Sequence, residues 1–335
     1  MELQSSKSRT RFQWFAWALL AYNLPVILWG AYVRVSFSGD GCGANWPFCG
    51  GQALPTKMTT PTLVEFTHRM MSSVDVIGTI ILCVWAFLAF VKPHAVRRYA
   101  LLSLIFLFVE ALLGAGLVMF RYVAKDQSAG RVWYLSAHLI NTMLLLAALT
   151  ATAWLASKSS GAVQILSASR RMLGAVFVTV AVSVTGVIAA LGDTLFPASS
   201  IAGGMQQDFS NASSVLLRLR LLHPVMAVLG AAYLIWVAAG VLRGSPEGSP
   251  ARKAAARVTR IVVFQVAVGA INISLLAPMW MQIIHLLIAD LVWIALVLLL
   301  LETVRTDWRT TQGITPGGAS LTQARTEERG SVIRI

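Results

Sequence analysis

The sequence predicts an all-α, polytopic membrane protein with eight transmembrane helices, and three observations carry that prediction. Hydrophobic residues make up 57% of the 335. Charged residues are only 12%, about half the share of a soluble domain. Mean hydropathy is +0.71. Such a chain has too little polar surface to cover a water-exposed globule, and it is too apolar to be disordered.

Each helix is justified by an apolar run near the ~20 residues that a ~30 Å hydrocarbon core requires. The runs are 12–35, 66–91, 99–120, 132–156, 172–191, 219–242, 260–277 and 281–302. Only the turn around Pro278 separates the last two. The first run is long and lacks a small-residue exit, so it reads as a retained anchor rather than a cleaved signal.

The net charge of +13, from 27 Lys+Arg against 14 Asp+Glu, points to nucleic acid in a soluble protein. Here the positives alternate with the spans. Nineteen lie in residues 1–11, the loops after the second, fourth and sixth spans, and the tail after the eighth. Six lie on the opposite side: Lys57, Arg121, Lys125, Arg131, Arg218 and Arg220. By the positive-inside rule the chain is a multi-pass protein with both termini cytoplasmic. The charge is then topology and contact with anionic lipid, with no nucleic-acid partner. The expected organisation is a cytoplasmic tail 1–11, a four-helix half 12–156, a linker 157–171, a second half 172–302 and a disordered tail 303–335.

The two halves carry a repeat. The third span contains Glu110-Ala-Leu-Leu-Gly114, and the seventh contains Gln265-Val-Ala-Val-Gly269. A histidine precedes each (His68, His223) and another follows each (His138, His285). Close packing also favours Gly and Ala, but the paired histidines favour duplication. With four spans per half, the two pseudo-symmetric bundles are related by an axis along the membrane normal.

All four histidines fall within about the first two turns of spans that start on the outer side, so they lie at one depth. Ionisable groups inside a membrane default to functional readings. Facing imidazoles from two helices of a bundle bind a haem iron from both sides. The sequence pairs His68 with His138 and His223 with His285, as metal ligands to two haem irons. Four packing histidines are the plain alternative. A zinc site wants a tighter tetrahedral set. The fifth, His94, sits in a cytoplasmic loop and reads as incidental. Glu65 stands three residues before His68 on the same helix face, where the second half has Arg220. A carboxylate there can move a proton or stabilise a cation, or simply favour a helix N-terminus.

The outer loop 36–64 holds Cys42 and Cys49, with six residues between them that include Gly43 and Pro47. On the oxidising side a disulfide is the default, with metal binding by two thiols the weaker alternative. Cys83 reads as a buried, inert thiol.

Together these residues resemble the haem A synthase family of bacteria and mitochondria. The matching features are Val33-Arg34, Cys42 to Trp46-Pro47 to Cys49, Glu65-Phe-Thr-His68-Arg69, the later histidines, and Gln265, Gly269, Asn272 and Pro278. The resemblance covers about 12–302. It implies eight helices in two halves, and oxidation of a methyl group of haem O to the formyl group of haem A by successive hydroxylations. It implies that His68 and His138 serve the substrate haem, that His223 and His285 hold a haem b cofactor, and that Glu65 is catalytic. Arg34 and Arg69, near the outer surface, are candidates to pair with haem propionates, with interfacial anchoring the plain alternative. The implied partners are a haem O-supplying synthase and an unspecified electron acceptor; assembly into a homo-oligomer is left open. Some family members have a second cysteine pair between the fifth and sixth spans; residues 192–218 here have none. Two other classes compete: a di-haem b-type, quinol-linked electron carrier, and a non-haem transporter or assembly factor.

Overall fold

The computed structural model describes residues 6–91, 94–158, 169–210 and 215–311. Among them there is no strand, only an isolated bridge between Cys49 and Gln52. Eight helices are long and apolar enough to cross a membrane, so this is a multi-pass membrane protein. They are α1 (Ser6–Val35), α2 (Thr60–Ala89), α3 (Ala95–Met119), α4 (Ala129–Ala156), α5 (Arg170–Leu195), α7–α8 (Val215–Arg220 and Leu222–Gly244), α9 (Pro250–Ser274) and α10 (Met279–Thr311). A short α6 (Ile201–Phe209) precedes α7.

Hydropathy places the spans, and local chemistry sets their ends. Thr59, Ser128, Ser169, Ser200 and Ser249 cap α2, α4, α5, α6 and α9, each accepting a backbone N–H three residues on. Pro61 and Pro250 sit in the first turns of α2 and α9, where no intrahelical N–H is lost. These caps start α2 at 60 rather than 66 and α9 at 250 rather than 260. His68 and His138 therefore lie in the third turns of their helices, not the first two. His68 is about 12 Å along α2 at 1.5 Å per residue. At the other end, α10 runs to Thr311, so the expected disordered tail begins as helix. Residues 312–335, and 159–168 of the linker, lie outside the described residues. His94 is not incidental: its side chain caps α3, accepting the Val96 N–H at 3.3 Å.

Three odd-numbered spans end alike. Phe37, Arg121 and Leu276 all have positive φ (56°, 57° and 62°). In each case the next residue's N–H returns to the carbonyl five residues back (Val33, Leu117 and Asn272). Gly30, Gly114 and Gly269 each stand seven residues before that left-handed residue. The fifth span departs from the rule, continuing to Leu195.

Helices α1–α4 form one closed set of neighbours and α5, α8, α9 and α10 another, meeting through α1, α4, α5 and α10. One apolar core crosses that seam at the end of the bundle away from the disulfide loop. It includes Phe12, Leu82, Leu149, Trp293, Leu296 and Leu299. Two indoles fix the seam: Trp293 donates to the Met143 carbonyl at 2.7 Å, and Trp154 to Glu302 at 2.8 Å. Burying those N–H groups without acceptors would be costly. The solid packing lies at one end, and the histidines stand toward the other.

Candidate functional site

Each of the four histidines leans on a glycine of the preceding span. A Cβ at Gly30 would stand 2.9 Å from His68 Cε1, one at Gly186 3.0 Å from His223 Cε1, and one at Gly269 3.0 Å from His285 Cε1. At those three distances a Cβ would push the ring aside, most at Gly30. Gly114 is looser, at 3.8 Å from His138 Cε1. Bare backbone lets an imidazole swing into the bundle without pushing the helices apart.

In the second half the rings of His223 and His285 face each other, with centroids 6.3 Å apart and planes at 82°. Two metal–nitrogen bonds of about 2 Å each, with the half-widths of two rings, come to about 6 Å. The centroid separation therefore suits two imidazoles that would share one iron. His68 and His138 lie close enough to interact electrostatically. Among the described residues the buried Nδ1 atoms of His68 and His285 have no hydrogen-bond partner, whereas His223 Nδ1 meets Thr185 Oγ1 at 3.2 Å.

The sequence marks Glu110 only as half of a repeat, and Gln265 as its counterpart and a feature of the family resemblance, yet both touch histidines. Glu110 Oε1 lies 3.2 Å from His138 Nδ1, a contact of charge not aligned as a hydrogen bond. Glu110 is held by the Thr142 hydroxyl and by Asn141 Nδ2 at 2.6 Å. Gln265 donates to the His285 carbonyl at 3.1 Å and lies 3.4 Å from its Nε2. Two more buried acids were not anticipated. Asp75 accepts from Asn23 at 2.9 Å, and Asp290 has an oxygen without a hydrogen-bond partner among the described residues.

Cys42 and Cys49 are joined in a disulfide, with Cα atoms 4.5 Å apart. Their loop is clamped to α2. Gly41 lies so close to Pro61 that a Cβ would meet its carbonyl at 2.3 Å, and Thr62 donates to the Gly41 carbonyl at 2.8 Å. Glu65 is 3% exposed; its Oε2 accepts the Cys42 N–H at 2.8 Å and its Oε1 pairs with Arg69 at 2.6 Å. Arg69 also donates to the carbonyls of Asn45, Pro47 and Phe48. Arg34 reaches across the seam to Thr194 Oγ1 at 3.4 Å.

The second half has no disulfide here. Instead Arg220 pairs with Asp193 at 3.0 Å and Asp208 at 2.5 Å, tying α6 to the ends of α5 and α7. Cys83 is a buried free thiol.

A family described as cytochrome oxidase assembly protein (COX15-CtaA) matches residues 13–297. A protein of Thermus thermophilus named protoheme IX farnesyltransferase is 40% identical over 298 residues, covering 87% of this chain and 48% of that protein. A heme A synthase of Exiguobacterium sp. is 35% identical over 96 residues, 29% of this chain and 32% of the relative. One of Lysinibacillus sphaericus is 37% identical over 107 residues, 32% of this chain and 35% of the relative. The chain spans about half the length of the Thermus relative and about a third of each heme A synthase in the matched stretch.

Proposed function

The chain belongs to the COX15-CtaA family of cytochrome oxidase assembly proteins, and from that premise we propose that it oxidises a methyl group of haem O to the formyl group of haem A. The observation that carries the proposal is the set of four glycine-seated imidazoles, above all His223 and His285 at 6.3 Å. The relatives named heme A synthase support the reaction. The matching ends of α3 and α9, the third spans of the two halves, support descent of the halves from one duplicated unit.

Haem O, as substrate, is assigned to the N-terminal half (12–156), between His68 and His138. A haem b held by His223 and His285 in the C-terminal half (172–302) would supply one-electron redox capacity. Two hydroxylations of the methyl carbon, each a two-electron oxidation drawn by an external electron acceptor, give a gem-diol, and loss of water leaves the aldehyde. Glu65 is the carboxylate assigned to proton handling. The Cys42 amide and Arg69 hold it in one orientation, so the disulfide loop positions the acid. Arg34 and Arg69 are the arginines assigned to contact the haem propionates.

Supply of haem O calls for an enzyme that farnesylates protohaem, the activity for which the Thermus relative is named. The charge bias supports a plasma-membrane location with both termini cytoplasmic and the disulfide outside.

Extraction and chromatography of the bound haems test the reading. Haem O or haem A beside haem b is the expected result. Two permanent haems of type b would establish the electron carrier instead, and a chain without Soret absorption after supply of haem would establish neither.

A further inference from the structure

Glu110 and Gln265 occupy matching places. Each stands four residues before the glycine under a histidine and ten residues before the helix's C-cap, Phe120 or Leu275. Each touches the histidine of the next span: His138 at Nδ1 in one half, His285 at Nε2 and its carbonyl in the other. They differ by one chemical change, a carboxylate against a neutral amide. Among the described residues His138 alone of the four has a carboxylate at ion-pair distance. His223 meets neutral groups, the Thr185 hydroxyl and the Val182 backbone.

The carboxylate is built in, not stray. Asn141 donates to its Oε2 at 2.6 Å and to the Phe106 carbonyl at 2.8 Å, while the Thr142 hydroxyl donates to Oε1. Both donors come from α4, the helix that carries His138. A carboxylate at ion-pair distance from a metal-binding imidazole raises the basicity of that imidazole. An anion there also favours the more positive metal, and in a medium of low dielectric that preference is not screened away.

We propose that Glu110 and Gln265 set the two haem sites at different reduction potentials, the His68–His138 site lower and the His223–His285 site higher. Glu110 is a positioning residue, acting through His138. At equilibrium a single shared electron then resides on the C-terminal iron and leaves the N-terminal one ferric. The substrate site is thus kept oxidised, and the second site accepts what it gives up. This rests on the haem reading above.

The test is a spectroelectrochemical titration of the purified full-length protein loaded with haem, with Glu110→Gln and Gln265→Glu as reciprocal variants. Glu110→Gln is expected to raise the lower potential, and Gln265→Glu to lower the higher one. Each shift is at least tenfold in the ferric/ferrous ratio at fixed applied potential, about 59 mV for one electron. Glu110→Asp should recover part of the shift. Two bound haems whose potentials stay put in both variants, or move together, overturn this inference and leave the haem reading standing. A wild-type chain that takes up no haem overturns both. Because Gln265→Glu disturbs neither Asn141 nor Thr142, the proposal is read even if Glu110→Gln fails to fold.

Discussion

The carboxylate of Glu65 accepts the backbone N–H of Cys42 at 2.8 Å, which makes the acid assigned to proton handling also the anchor of the disulfide loop. Glutamine at 65 can still accept that N–H but carries no charge for Arg69 and no exchangeable acid proton. Glu65→Gln is expected to keep its haems and lose at least about a hundredfold in conversion, the low end of what general acid–base groups contribute. Haem extraction and turnover, measured on the same preparation, check it. Undiminished haem A formation would remove Glu65 from the chemistry and leave it as a clamp.

The glycines under the histidines give a graded steric test. A methyl at 269 would sit 3.0 Å from His285, while one at 114 would sit 3.8 Å from His138, an ordinary contact. Gly269→Ala is therefore expected to displace the His285 ring and reduce haem per chain by about half, since one of two ligand pairs is disturbed. Gly114→Ala should bind as the wild type does. The pyridine haemochrome of each variant distinguishes them, and equal haem content in both would refute the seating.

What the sequence made legible follows from how each signal is encoded. Hydropathy and charge located the spans because lipid imposes them over twenty residues at a time. The histidines stood out because imidazole is rare in such spans. Glu110 was visible only as half of a repeat, for its contact with His138 runs between α3 and α4 and leaves no local pattern. Arg220 entered the charge count as one outer positive, though it pairs with Asp193 and Asp208 across a loop that contains an unexpected helix. Ile201–Phe209 is too short and too mixed in polarity to announce itself. His94 shows the same limit, since a histidine cap has no sequence rule as firm as Ser or Thr.

Arg220 does for the second half what the disulfide and Arg69 do for the first: it fastens the loop end of the bundle. Removing one partner from a buried ion pair leaves the other uncompensated. Arg220→Met is expected to cost about 3 kcal/mol, the low end of that range because Asp193 is partly exposed. The loss should be local. Limited proteolysis between residues 196 and 210 should accelerate while the cleavage rate in the Cys42–Cys49 loop stays the same. Unchanged protection of that stretch would show that α6 is held by other contacts.

His94 supplies a pH dependence outside the spans. Burial, and then the charge of Arg9, hold its imidazole below the ordinary value of 6.5. Its Nδ1 accepts the Val96 N–H and does so only when unprotonated. The folded state therefore binds fewer protons than the unfolded one, and stability rises with pH. The contribution is complete above about 6.5 and is lost as pH falls through the lower folded value. An N-cap contributes about 1 kcal/mol, so wild type should exceed His94→Ala by about that much near pH 8 and by little near pH 5. His94→Asn, which caps without titrating in this range, should keep its advantage over alanine at both. Thermal unfolding in detergent across that range checks the three chains, and a wild-type advantage that stays constant down to pH 5 would show that the cap is not what the proton breaks.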